Sequence, residues 1–342
     1  MPSWSERSDP DDLLGARSEA EIDAIKVGLI GCGDIGTTHL EAWEQVPDAQ
    51  VMAVCDANEE RMEHVAAAYG IEGYLSSVDM IEETELDAVD ICVPPKWHRE
   101  IALFAMEEGL HVICENPLAR SASEAREIVE VAEREGMALM TAFCHRFDQP
   151  VMMVQHLLEK GTLGRLHMFR GRLGTYSEGI ERRWLARRSL SGGGVLMDLG
   201  IHLIDLFRYL MGEIKGVQAQ THAFRPEIRG VEDSAAVLIE SEGGGLGVIE
   251  VSWATDPSEN GIELYGERGT AIVDYTRDEI RYKTRGAATW TRPELTFPNR
   301  YMMLLRHFTD VLLEETEPLI SGWDGLRALE VIEDAYLSAR GS

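Results

Sequence analysis

Lysine is scarce in this chain. It supplies only five of the 32 basic residues, against 60 acidic ones, and the formal charge is −28. So negative a surface repels nucleic-acid backbones and anionic membranes, and neither is expected as a partner. Two origins fit this balance: a salt-rich cytoplasm that screens self-repulsion, or an arginine-biased genome. Cysteine is sparse too. The five are scattered, odd in number, and form no CxxC pair or zinc-type spacing. That predicts unpaired thiols, a cytoplasmic setting and no metal site. No uninterrupted apolar run approaches the roughly 20 residues of a membrane span. Residues 1–23 are polar and acidic, without the basic and apolar segments of a signal peptide. The expectation for residues 1–24 is a flexible arm, with a short helix near Ser18 to Ile25. Repeats and low-complexity segments are absent from the sequence.

What is present suffices for two domains. The chain has 342 residues and is 44% hydrophobic. Residues 25–146 predict the first domain. The apolar run Ile25 to Ile30 reads as a buried parallel strand and ends in Gly31-x-Gly33-x-x-Gly36, followed at once by a helical pattern. In a dinucleotide site Gly31 makes the tight turn, Gly33 lets the backbone approach a pyrophosphate, and Gly36 brings helix and strand together. The helix N-terminus offers free N–H groups to phosphate. A second strand, Val51 to Cys55, ends in Asp56, 20 residues past Gly36. An acidic residue there meets the ribose hydroxyls of NAD and disfavours a 2′-phosphate. Arg61, on the next helix, softens that preference.

Strands at Asp87–Val93, His111–Cys114 and Met137–Phe143 alternate with helices, two of them marked by a cap at Asn58 and a capping box at Ser121-x-x-Glu124. This pattern predicts a doubly wound parallel sheet. Asp56, Pro94-Pro95, Glu115-Asn116 and His145 fall at the carboxyl ends of its strands, where ligands bind.

Residues 147–342 predict a second α/β domain for substrate and oligomerisation. A helix, Gln149 to Lys160, leads into seven segments between Arg165 and Lys283, with hairpin turns at Glu242–Gly245 and Gly266–Gly269. The expected sheet is open and largely antiparallel. Helices near Asn299–Glu315 and Trp323–Ala339 close the chain, and the last is free to pack back on the first domain. Alternation along Val248 to Trp253 leaves one sheet face in need of cover, so a homodimer or homotetramer is expected.

Gly192-Gly193-Gly194 precedes a helical pattern from Val195 to Leu210. Asp198 and His202, four apart, share a helical face. Such a pair makes either a general base with its orienting carboxylate or a buried ion pair that holds the helix. Asp205 reads as a structural anchor.

Taken together, these motifs resemble the glucose–fructose oxidoreductase/inositol dehydrogenase (Gfo/Idh/MocA) superfamily. The matching stretches are the glycine loop with His39, Val93-Pro94-Pro95-x-x-His98, Cys114-Glu115-Asn116-Pro117-Leu118-Ala119, Gly192-Gly-Gly-x-x-x-Asp198-x-Gly200-x-His202-x-x-Asp205, and Asp324-Gly325 with the residues after it. The resemblance covers about residues 25 to 340. It implies a nicotinamide-binding Rossmann domain, an open-sheet domain that often packs between subunits, and NAD-dependent hydride transfer at a carbinol of a sugar, inositol or related polyol. It assigns Gly31, Gly33, Asp34, Ile35, Gly36, Asp56, Pro94, Pro95, His98, Glu115 and Asn116 to the cofactor. His202 becomes the general base, Asp198 its orienting group, and Asn116 a positioning group. Lys96, His145, Arg146, Tyr176, Arg183 and Trp184 are candidates for substrate binding.

One departure matters. The family has lysine where this chain has Asn116, and an amide can neither carry charge nor take a proton. Lys96 either supplies the missing ammonium or is a solvated lysine at a helix start. The loss keeps two other classes open: a redox-neutral enzyme that retains its NAD, and a non-catalytic sensor of NAD and sugar. Asp198 and His202 favour chemistry over sensing.

Overall fold

The computed structural model describes residues 23–255, 260–296 and 298–340. The expected N-terminal arm and its short helix therefore lie almost wholly outside the described residues.

Six parallel strands form the first sheet: β1 (Ile25–Ile30), β2 (Ala49–Cys55), β3 (Glu72–Tyr74), β4 (Ala88–Ile91), β5 (His111–Cys114) and β6 (Leu139–Thr141). Their order is β3-β2-β1-β4-β5-β6. The strands are short and apolar because both faces are covered; Val27, Leu29, Val89, Ile91, Val112 and Ile113 are fully buried. The order reverses between β1 and β4, which opens a crevice beyond their carboxyl ends. Asn58 caps the helix Glu59–Tyr69, and Ser121 caps the helix Ala122–Glu135. Left-handed glycines, Gly70 and Gly136, end both.

The second sheet has seven strands: β7 (Leu166–Gly174), β8 (Ile214–His222), β9 (Ser234–Ser241), β10 (Leu246–Ser252), β11 (Gly261–Gly266), β12 (Gly269–Asp274) and β13 (Glu279–Thr284). Their order is β13-β12-β11-β7-β10-β9-β8. The pairing is antiparallel except between β7 and β10, which run parallel. Helices Ile201–Met211, Gln149–Glu159 and Gly322–Arg340 pack on this sheet. Ile249, Val251 and Trp253 point into that core, while Val248, Glu250 and Ser252 alternate toward the other face.

The last helix also lies against Ala122–Glu135, through Arg126–Glu330 and through Ala122 N–H donating to Glu333. Gly325 permits the approach: a Cβ there would sit 2.4 Å from Thr141 Oγ1.

By length and mean hydropathy the stretch Arg188–Met211 could cross a bilayer, but it is interrupted by charged residues and 72% of its most apolar window is buried inside the protein. It breaks at the glycines Gly192 to Gly194 and then forms a π turn, Leu196–Gly200, ahead of the α-helix Ile201–Met211.

Candidate active site

A cleft of about 990 Å³ runs from the glycine loop to the π turn, walled by the first sheet's loops and by helices and turns of the second half of the chain. Each glycine of the loop answers a separate demand. Gly31 has φ +107°, and its N–H donates to Cys55 O at 2.7 Å. A Cβ on Gly36 would stand 1.8 Å from Gly31 O. A Cβ on Gly33 would meet nothing within 4 Å, so it would project into the cleft itself. Gly33 also starts the helix Asp34–Trp43 without a side-chain cap, which leaves N–H groups for an anion. Those features fit a bound pyrophosphate, with Asp34 and Ile35 on the same wall.

Asp56 ends β2 as the spacing predicts. Its carboxylate accepts from Cys32 N, Asn58 N, and Arg61 Nε and Nη2, all at 2.7–2.8 Å. Burial alone would raise its pKa, but these donors outweigh burial and hold it below the usual range. Pro94, Pro95, Glu115 and Asn116 also line the cleft.

Asn116 is clamped. Its Nδ2 donates to Glu115 Oε2 at 3.0 Å and to Ala142 O at 3.1 Å. Both neighbours accept only, so the amide orientation is fixed and Oδ1 is the atom left over. Glu115 is held from behind by His39, whose Nε2 lies 3.0 Å from Glu115 Oε1, an ionic contact off-line for a hydrogen bond. His39 Nδ1 meets Asp90 Oδ2 at 2.8 Å. Burial opposes charge on His39, yet Asp90 keeps its pKa well above the ordinary value. His39, Asp90 and Cys92 lie close enough to suit a metal, but all three are buried and already satisfied by one another.

From the π turn and the helix after it come Asp198 and His202. The expected hydrogen bond between them does not form. Asp198 Oδ2 instead accepts from the Trp253 indole at 2.9 Å, while His202 Nδ1 is buried with no partner. The π turn at Leu196–Gly200 explains the difference, because its wider pitch breaks the α-helical i,i+4 stacking. Burial raises the Asp198 pKa to about 6, although Trp253 and Arg183 pull it down. Burial drives His202 well below its ordinary value, helped by His145 and Arg300. His202 is therefore a neutral imidazole at neutral pH.

The other sequence candidates divide. Arg183 and Trp184 line the cleft, and Arg183 Nη2 reaches Asp34 Oδ2 at 2.9 Å from the opposite wall. His145 lies behind His202, ring centroids 4.6 Å apart, and pairs with Asp148. Four candidates sit elsewhere. Arg146 is buried on Asp205 and Asp324, so it is a structural cation, and Asp205 is its anchor. His98 is fully buried between Val93 O and Pro117 O and braces the two loops rather than touching a ligand. The Lys96 ammonium lies over the Trp97 ring, 4.2 Å from its centroid. Tyr176 is exposed and stacks on Arg225. Sequence reasoning missed Tyr301 and Trp253. Tyr301 lines the cleft 5.4 Å from the His39 ring, and no motif marks it.

A model of the oxidoreductase family with an NAD-binding Rossmann fold matches residues 25–143, and a Gfo/Idh/MocA C-terminal domain model matches residues 151–272. The chain belongs to the Gfo/Idh/MocA oxidoreductase family. It is 30% identical to a D-apiose dehydrogenase of Paraburkholderia graminis, over 93% of this chain and 88% of that one. It is 29% identical to a myo-inositol 2-dehydrogenase of Thermotoga maritima, over 89% of this chain and 93% of the other. In structure it is similar to an oxidoreductase from Agrobacterium radiobacter, crystallised with NAD+, L-tartaric acid and magnesium. The TM-score is 0.84 at 27% identity, covering 92% of this chain and 96% of that one. The protein is thus an NAD-dependent oxidoreductase, and its glycine loop and Asp56 belong to the NAD-binding Rossmann half.

Proposed function

We propose that this family member oxidises a secondary hydroxyl of a sugar, an inositol or a related polyol, with His202 as proton acceptor. The observation that carries this reading is convergence: the glycine loop, Asn116, Asp198 and His202 all line one cleft. The relatives' names, D-apiose and myo-inositol dehydrogenase, support the substrate class.

NAD, when bound, supplies the carbon that accepts the hydride. His202 offers Nε2 to the substrate hydroxyl, because Nδ1 is buried on the far side. Its low pKa keeps the ring neutral at neutral pH, so one of its two nitrogens is free to accept a proton. Asp198, with one oxygen on Trp253 and the other free, adds a second acid–base group that ionises above about pH 6. It does not orient His202; it shares the proton load with it. Asn116 Oδ1 accepts from a substrate hydroxyl and fixes its direction. Trp184 offers a flat apolar face to a sugar ring, and Arg183 a cation beside it. The surroundings of a developing alkoxide lack the family's ammonium, so here proton removal rather than charge pairing carries the step.

We place the enzyme in the cytoplasm, a setting that suits its five free, buried thiols. Two or four copies associate through the open face of the second sheet. Incubation with NAD and a panel of sugars, inositols and polyols tests the reaction: one or more should yield NADH, and failure of the whole panel would contradict it.

A further inference from the structure

The adenosine ribose should meet Asp56 at the end of β2, and Asp56 is already saturated. Oδ1 accepts from Asn58 N at 2.8 Å and Arg61 Nη2 at 2.7 Å. Oδ2 accepts from Cys32 N and Arg61 Nε, both at 2.8 Å. A carboxylate offers about four acceptor positions, and four donors fill them. Its side chain is only 6% exposed. A pair of ribose hydroxyls finds no open carboxylate there.

Beside Asp56, Arg61 faces the cleft as well. Its side chain is half exposed, and it shares the wall with Ser76 and Ser77. The fork onto Asp56 uses two of the five guanidinium N–H groups, which leaves three pointing elsewhere. The fork also holds the guanidinium in place, and Asn58 Oδ1 fixes the Arg61 backbone at 2.9 Å. Charge agrees with geometry. Asp56 and Arg61 cancel as a pair, and Asp34, the other carboxylate whose field Arg61 feels, is matched by Arg183 at 2.9 Å. An incoming phosphate meets exposed N–H donors and no unpaired carboxylate among these groups.

We infer that this protein binds NADP as well as NAD, with Arg61 holding the 2′-phosphate beside an Asp56 that is neutralised rather than repelling. The inference rests on the dinucleotide reading of the cleft and not on the assignment of the proton acceptor. Arginine is suited to the task because its planar fork presents several donors to a phosphate at once.

Direct binding of each dinucleotide by calorimetry, with no substrate present, tests it. The wild-type protein should bind NAD and NADP with dissociation constants within about tenfold of each other. Arg61→Ala should weaken NADP relative to NAD by about tenfold or more, the worth of a charge-assisted hydrogen bond. Arg61→Lys should fall between, since the charge stays and the fork is lost. Wild-type binding of NAD with NADP weaker by more than about a hundredfold would overturn the inference and leave the NAD site standing. An unchanged preference in Arg61→Ala would overturn it too. Binding of neither dinucleotide would overturn both.

Discussion

Two residues carry much of the chemistry proposed for this cleft, and both are testable singly. The Asn116 amide nitrogen is spent on Glu115 and Ala142. Only an acceptor remains, so Asn116→Ala should lower kcat/KM by about tenfold, the worth of one hydrogen bond. Asn116→Lys puts an ammonium against Glu115 and should change the rate by less than about tenfold in either direction. Turnover that exists only in Asn116→Lys would mark the native protein as a sensor. Asp198 is the second residue. Its carboxyl is protonated below about pH 6 and ionised above. The proton-accepting form is therefore lost as pH falls, and kcat/KM should drop about tenfold per pH unit below that point. His202 ionises lower still, so no second step should appear between pH 6 and 8. A pH–rate profile of the wild type and of Asp198→Asn checks this; the limb near pH 6 should vanish in the variant. At this scale the sequence was most legible where chemistry is local. The glycine loop and Asp56 announce themselves by spacing. The partner of Asp198 does not, because Trp253 is 55 residues away and only the folded sheet brings them together.

Elements rather than motifs set those partners. The π turn Leu196–Gly200 turns Asp198 away from His202, and β10 delivers Trp253 to it. Trp253→Phe keeps the buried ring and removes the N–H that favours the ionised carboxylate. The acid limb should then move to higher pH; a shift to lower pH would contradict the assignment. Arg146 ties the short segment Cys144–Phe147 to the helix Ile201–Met211 and to Asp324 of the last helix. Arg146→Met leaves Asp205 buried without its paired cation and Asp324 with Arg208 alone. Denaturant unfolding should report a loss of about 3–5 kcal/mol. Strong apolar runs with glycine stops made most strands and helices readable. Short elements escaped, among them β3, with three residues at a partly exposed edge, and the helix Ser77–Glu83, with only seven. Neither is long enough to show a period. The parallel pairing of β7 with β10 was equally hidden, since register between strands whose partners, such as Glu250 and Arg172, are 78 residues apart is settled by packing, not by local pattern.

For the whole molecule, the second sheet's open face is a surface that the cleft does not account for. Met168 pairs across strands with Leu246 and Tyr265, and Leu238 with Val248. Met168, Leu238, Leu246 and Tyr265 are all exposed, among ion pairs of Arg170 and Arg172 with Glu250 and Glu263. A patch so composed suits a second copy of the same face. Light scattering should give a dimer or tetramer, and Leu238→Glu combined with Leu246→Glu should shift it toward monomer; a wild-type monomer at every salt concentration would count against the assembly.

The central claim is that this cleft passes a hydride to NAD while His202 takes the hydroxyl proton. The most direct test is the NADH formed with the best polyol by the wild type and by His202→Ala, with NAD affinity measured on both. The account predicts clear wild-type turnover and a loss of about a hundredfold or more in kcat for the variant, far larger than any change in NAD binding. Turnover that survives His202→Ala intact would contradict it.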